Sequence, residues 1–149
     1  MLEDLMKQFL EGFKELLKVA DKDTHQTKAE ALPERIRKNY SSFFQENVDL
    51  LRIVFIESLI KTNPKPRIFL LVESLVEIEE SFFTAKGKKK NDRNERLVAE
   101  FFTNIVPSIA YLCFQDAWAK HFKVPKKDLK DLYVKVFTQT HGAYHKYHD

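Results

Sequence analysis

Cysteine occurs once, glycine three times and proline five times in 149 residues. A single thiol, Cys113, cannot close an intrachain disulfide, which fits a reducing compartment and a cytoplasmic location. So few glycines, with long breaks between prolines, disfavour a turn-rich β fold and favour helices. Strong charge of either sign is also missing. The 25 basic and 22 acidic side chains leave a formal charge of +3, which does not demand a nucleic-acid partner.

The opening "MLEDLMKQFL" carries acids early and has no apolar centre, unlike a secretory signal. No run reaches the roughly 18 apolar residues that a transmembrane helix needs. The nearest, Phe101 to Phe114, is interrupted by Thr103, Asn104, Pro107 and Ser108. A soluble protein with no membrane partner is expected. Catalytic signatures are absent as well: no G-x-S-x-G, no phosphate-cradling glycine loop, no C-x-x-C and no E-x-x-H of a di-iron bundle. These absences favour a non-enzyme without a cofactor.

Phenylalanine is plentiful, with 13 copies, and the apolar residues fall into six helical runs. From Leu2 to about Val19, Leu2, Leu5, Met6, Phe9, Leu10, Phe13, Leu16 and Leu17 recur at three- and four-residue steps on one face. A second run begins near Leu32, with Pro33 in its first turn and Ile36, Tyr40, Phe43 and Phe44 as its stripe. Asn47 marks the junction with a third, "VDLLRIVFIESLI", apolar almost all round and therefore expected to be buried on several sides. "TNPKPR" stops it. The fourth covers about Arg67 to Ala85, the fifth about Asn94 to Phe122, and the sixth about Lys126 to Tyr147. Pro107, inside the fifth, is expected to kink it. The prediction is one all-α domain over residues 1–149, a six-helix orthogonal bundle.

Four candidate sites have bland readings beside them. His141, His145 and His148 sit four and three residues apart, so one helix side presents three imidazoles, a feasible grip for a transition metal. They lie at a fraying end next to Gly142, with no carboxylate of matching spacing, although Asp149 is adjacent. A solvated helix end without a metal site is the preferred reading. Glu73, Glu77 and Glu80, with Glu79 nearby, read as a solvated side rather than an acid–base pair. Cys113, between Leu112 and Phe114, reads as a small buried apolar residue. "KGKKKNDR" lacks interleaved aromatics and reads as a solvated loop rather than a phosphate site.

Polar residues inside apolar helices point elsewhere. Glu57 and Ser58 share a turn, and Asn104, Ser108, Tyr111 and Gln115 form a line beside Pro107. Each needs a partner when buried, either another side chain or a bound ligand. Phe9, Phe13, Phe55, Phe69, Phe82, Phe83 and Phe101 either line a cavity or fill a core.

The fifth helix has more apolar surface than one stripe. Val98, Phe101, Ile105, Ile109 and Leu112 form the stripe, and Phe102, Val106, Cys113, Phe114 and Trp118 add further coverage. The sixth carries Tyr133, Val136, Phe137, Thr140 and Tyr144. The simplest cover for the surplus is the same surface on a second copy, giving a four-helix interface about a two-fold axis. A permanent homodimer of this kind buries on the order of 2,000 Å² or more.

The pattern as a whole resembles the C-terminal core of TetR-family transcriptional regulators, helix by helix. "SSFFQENVDLLRIVFIESL" is similar to the family's junction between two core helices, and "FFTNIVPSIAYLCFQDAWAKHFKVPKKDLKDLYVKVFTQTHGAYH" to its last two helices. The resemblance implies a homodimer through those two helices, with Phe114, Trp118, Tyr133, Phe137, Thr140 and Tyr144 in the interface. It also implies a pocket for a small hydrophobic or aromatic effector, drawing on Phe9, Phe13, Phe55, Ser58, Leu75, Asn104 and Tyr111. The family begins with a three-helix DNA-binding unit, whereas this chain starts where the first core helix should. The expectation is an excised sensor domain, or a relative without operator binding, that makes no DNA contact itself. A purely structural homodimerisation protein and a His-based metal-binding protein are the competing readings.

Overall fold

The computed structural model describes residues 1–24, 41–60, 64–85 and 92–148. Among these residues the secondary structure is helical with no strand, so the fold is all-α, as the composition requires. Six helices follow in order: α1 (Leu2–Thr24), α2 (41–46), α3 (Val48–Ile60), α4 (Ile68–Ala85), α5 (Arg93–Phe122) and α6 (126–148). The expected start of the second run at Pro33, its stripe residues Ile36 and Tyr40, and most of the basic connector lie outside the described residues.

Aromatic packing sets the amino-terminal half. Phe9 and Phe13 on α1 meet Phe43 and Phe44 on α2, with ring centroids 5.0 Å apart for Phe9–Phe43 and 5.6 Å for the edge-on Phe13–Phe44 pair. Gly12 eases this approach, because a Cβ there would stand 3.2 Å from the Phe43 ring. Leu51 and Val54 of α3, Leu71, Val72, Leu75 and Val76 of α4, and Ile105, Ile109 and Leu112 of α5 complete one continuous core.

Short polar contacts hold the joints. At the α2–α3 junction Asn47 accepts the Leu51 N–H on its carbonyl, which starts α3. Its side chain donates to the Phe43 carbonyl at 2.8 Å, closing α2 rather than capping α3. The Arg67 guanidinium, ahead of α4, donates to Glu57 of α3 and also reaches Glu3. Arg93 meets Glu80 at 2.7 Å, joining the start of α5 to α4. Asp92 accepts the Asn94 N–H at 2.8 Å and caps α5. Lys123, left-handed at φ 54°, ends it.

One expectation changes. α3 is not buried on several sides. Leu51 and Val54 are buried, while Ile53, Ile56, Leu59 and Ile60 are exposed. Its apolar residues run all round the helix, more than its neighbours cover. The fifth run is continuous through Pro107, where the sequence predicts a kink inside one helix. A π-helical segment, Glu100–Ile105, sits just before it, and the helix continues to Phe122. Proline has no N–H for the usual carbonyl four residues back, and a widened turn there accommodates that loss.

Candidate functional site

α5 and α6 form an antiparallel hairpin. Thr103 meets His141, Ser108 meets Tyr133 and Asp116 meets Lys126, so contacts run outward from the Lys123 turn in opposite chain directions. Inside the hairpin the Tyr111 and Tyr133 rings stack at 4.1 Å, and the Tyr133 hydroxyl donates to Ser108 at 3.3 Å. Burial pushes the Tyr133 phenol above its ordinary range, although the Ser108 contact pulls the other way. Burial also raises that of Tyr111.

Part of the hairpin's exposed surface is apolar. On α5, Val98 and Phe102, then Phe114, Trp118 and Phe122, recur every four residues and are exposed. Phe102 is 64% and Phe114 61% exposed. On α6, Leu132 and Val136 keep the same spacing and are also exposed. Singly exposed apolar residues are ordinary, but a run at helical spacing on two adjacent helices is a surface feature of partner contact.

The expected interface residues divide. Phe114 and Trp118 are on the exposed band, and Thr140 is exposed with its hydroxyl donating to the Val136 carbonyl at 3.1 Å. Tyr133, Phe137 and Tyr144 are half-buried. Phe137 packs between Tyr133 and His141, and Tyr144 lies against His145. Phe102, part of the expected surplus surface, joins the band, as do Phe122 and Leu132, which were not among the expected interface residues.

α5 is also the one described helix whose length and composition suit a membrane crossing, with a mean hydropathy of 1.6 over its most apolar window. Continuity through Pro107 brings this about, where the sequence suggested an interrupted run. The same helix buries Ile105, Ile109 and Leu112 in the core and holds a buried carboxylate, while 28% of its apolar window is buried.

That carboxylate is Glu100, 1% exposed, in the first turn of the π-helical segment of α5. A second π-helical segment, Thr138–Gly142, lies opposite on α6 and carries His141, which is also buried. Threonine hydroxyls serve carbonyls at both widened turns: Thr103 donates to Ala99 and Thr138 to Val134. Three side chains then converge. His145 Nε2 is 2.8 Å from Glu100 Oε1, and His141 Nε2 is 3.5 Å from Glu100 Oε2. The two Nε2 atoms are 3.0 Å apart. Asn104 donates to Glu100 Oε2 at 2.8 Å. Burial by itself pushes the Glu100 carboxyl up. The His145 hydrogen bond, the charge of His141, the Asn104 bond and the charge of His145 together outweigh it and hold the carboxyl below its usual range. The cluster suits a positive charge, either a shared proton or a cation.

Of the expected histidine trio, the structure brings together His141 and His145, and the His148 side chain lies outside the described residues. Glu100, 45 residues before His145 in the chain, was not among the candidates. The carboxylate whose absence weighed against metal binding arrives from the other helix.

The expected pocket residues are dispersed. Phe9, Phe13 and Leu75 are buried in the core, and Phe55 packs against it. Ser58 donates to the Val54 carbonyl, Asn104 serves Glu100, and Tyr111 stacks on Tyr133. A cleft of about 250 Å³ opens between α1, α2 and α3, and Leu5, Phe9, Phe43 and Leu50 are among its lining residues. Phe9 is the one member of the expected set that reaches it. The side chains of Phe82 and Phe83 lie outside the described residues. No protein-family model matches the chain, and no curated protein or solved structure is significantly similar to it.

Proposed function

We propose that this chain is the homodimerising, ligand-sensing core of a TetR-like transcriptional regulator. The last two helices of each copy make a four-helix interface, and the remaining helices serve a small hydrophobic or aromatic effector. The reading assigns no DNA contact to these helices and no enzymatic activity. One observation carries it: the exposed band of Phe102, Phe114, Trp118, Phe122, Leu132 and Val136 on α5 and α6. Burying such area on a second copy removes it from water at about 25 cal/mol per Å² before the costs of association. Regulation follows in outline. An effector that binds one arrangement of the core better than another shifts the population between them.

The test is the double variant Phe114→Glu/Trp118→Glu. Both side chains are exposed in the single copy, so the helical content should be unchanged by circular dichroism. Light scattering after size exclusion should show the mass falling from dimer to monomer. A variant that keeps the dimer mass removes the basis of the proposal.

A purely structural dimer is the second reading, and the aromatic cluster of Phe9, Phe13, Phe43 and Phe44 favours it. Those rings fill the space that an effector would take. The cleft of about 250 Å³ is also smaller than the roughly 300–1,000 Å³ of ordinary ligand sites. Thermal-shift screening with apolar and aromatic compounds separates the two. An effector that binds the folded state raises the melting temperature by mass action, whereas a solid core responds to none.

A further inference from the structure

We propose that Glu100, His141 and His145 form a binding site for one divalent first-row transition ion, of the zinc class, that ties α5 to α6. The inference goes beyond the dimer reading. All three side chains belong to one copy, so a monomeric chain would keep the site.

The electron pairs are already aimed. Thr103 Oγ1 lies close to the Ala99 carbonyl and donates its hydroxyl proton there. Its oxygen is therefore an acceptor toward His141 Nδ1, 2.9 Å away, and that bond places the imidazole proton on Nδ1. In the neutral ring, Nε2 then carries a lone pair. It points at His145 Nε2 and at Glu100 Oε2. His145 Nε2 in turn faces Glu100 Oε1. Four donor atoms from three residues thus crowd one point, with at most one proton among the facing nitrogens while both rings are neutral. A cation at that point satisfies every lone pair at once.

The spacing fits. Metal–nitrogen and metal–oxygen bonds of about 2.0–2.2 Å put neighbouring ligand atoms roughly 2.8–3.1 Å apart in octahedral and roughly 3.3–3.6 Å apart in tetrahedral geometry. The three separations are 2.8, 3.0 and 3.5 Å. Two imidazoles and one carboxylate are a donor set for zinc or ferrous iron rather than for calcium or magnesium, which take oxygen ligands. The supporting shell is in place as well. Thr103 orients His141, and Asn104 orients Glu100. Glu100 and His141 are closed off from solvent, while the His145 side chain is 26% exposed and leaves a path for entry. Both π-helical segments contribute to the centre, and such segments concentrate at functional sites.

Cobalt(II) titration of the full chain, followed by its visible bands, tests the proposal, with zinc competition against a chromophoric chelator as the affinity measurement. One ion per chain is expected. Glu100→Gln and His145→Gln should each weaken binding at least a hundredfold. Thr103→Val, which keeps all three ligands but releases the His141 ring, should weaken it about ten- to a hundredfold. His148→Gln should leave it unchanged. Circular dichroism checks each variant's fold. If Glu100→Gln does not fold, His145→Gln, on the half-exposed side, carries the test. The proposal is overturned if neither ion binds. It is equally overturned if binding survives both ligand variants and is lost in His148→Gln, which would put the ion on the chain end.

Discussion

Phe13 and Phe114 are the same residue type on similar helices, yet Phe13 is fully buried and Phe114 is 61% exposed. The difference extends to their surroundings. Between α1 and α2, phenylalanines face inward and stack on one another. In the α5–α6 hairpin the aromatics of the outer band face solvent, while a carboxylate and two histidines are enclosed. The first region resolves its hydrophobic surface within the chain. The second leaves apolar area outside and encloses a charge that needs compensation. A helix pair arranged in this way is unfavourable for a protein that remains alone, which is why the hairpin and not the aromatic cluster carries the functional reading.

The contrast can be broken most directly at its two ends. Phe13→Ala should cost about 3–5 kcal/mol of folding stability, because it empties space among packed rings. Phe114→Ala should change single-chain stability by no more than about 0.5 kcal/mol and act instead on association. Urea midpoints at low and high protein concentration distinguish the two effects. Glu100→Ala, in chelator-treated protein, should cost about 3 kcal/mol by leaving His145 and Asn104 without their acceptor. The exposed Glu15, which pairs with Lys18 at the surface, should tolerate the same change almost without effect.

Acid sharpens the same point. The Glu100 carboxyl titrates lower in the folded chain than in the unfolded one. Its contribution is therefore full above the unfolded carboxyl range, about pH 4.3, and is lost as pH falls through the lower folded value. The stability gap between wild type and Glu100→Gln should close progressively as pH falls below about pH 4.3. Tyr133→Phe tests the inner side of the hairpin. It removes the hydroxyl donated to Ser108 but leaves the ring on Tyr111, and should cost about 1 kcal/mol.

Periodicity carried most of the fold. "VDLLRIVFIESLI" is helix α3 to the residue, and the starts of α4, α5 and α6 fall within one residue of the apolar pattern and its breakers. Local sequence reports such features because hydrogen bonding and capping are local. It did not report which sides of α3 are covered, since Ile53 and Leu51 look alike until neighbours choose between them. The same limit explains the dispersed pocket set. Phe9 and Phe13 are equally compatible with lining a cavity and with filling one, and Phe43 and Phe44 decide the matter by packing against them.

The charged centre was half legible. The four-residue spacing of His141 and His145 is a helical signal, and it was weighed as such. Glu100 gave none, because its place opposite them depends on how two helices pack and on π-helical turns that shift the register of each. A polar residue in an otherwise apolar run was the available cue, and Glu100 stands directly before "FFTNIV".

Sedimentation equilibrium of the unmodified chain, from tens of nanomolar to tens of micromolar, tests the assignment of the hairpin as a self-association surface. A mass of two chains at micromolar concentration, falling toward one only on strong dilution, is the expected result. A single-chain mass across the whole range would contradict it.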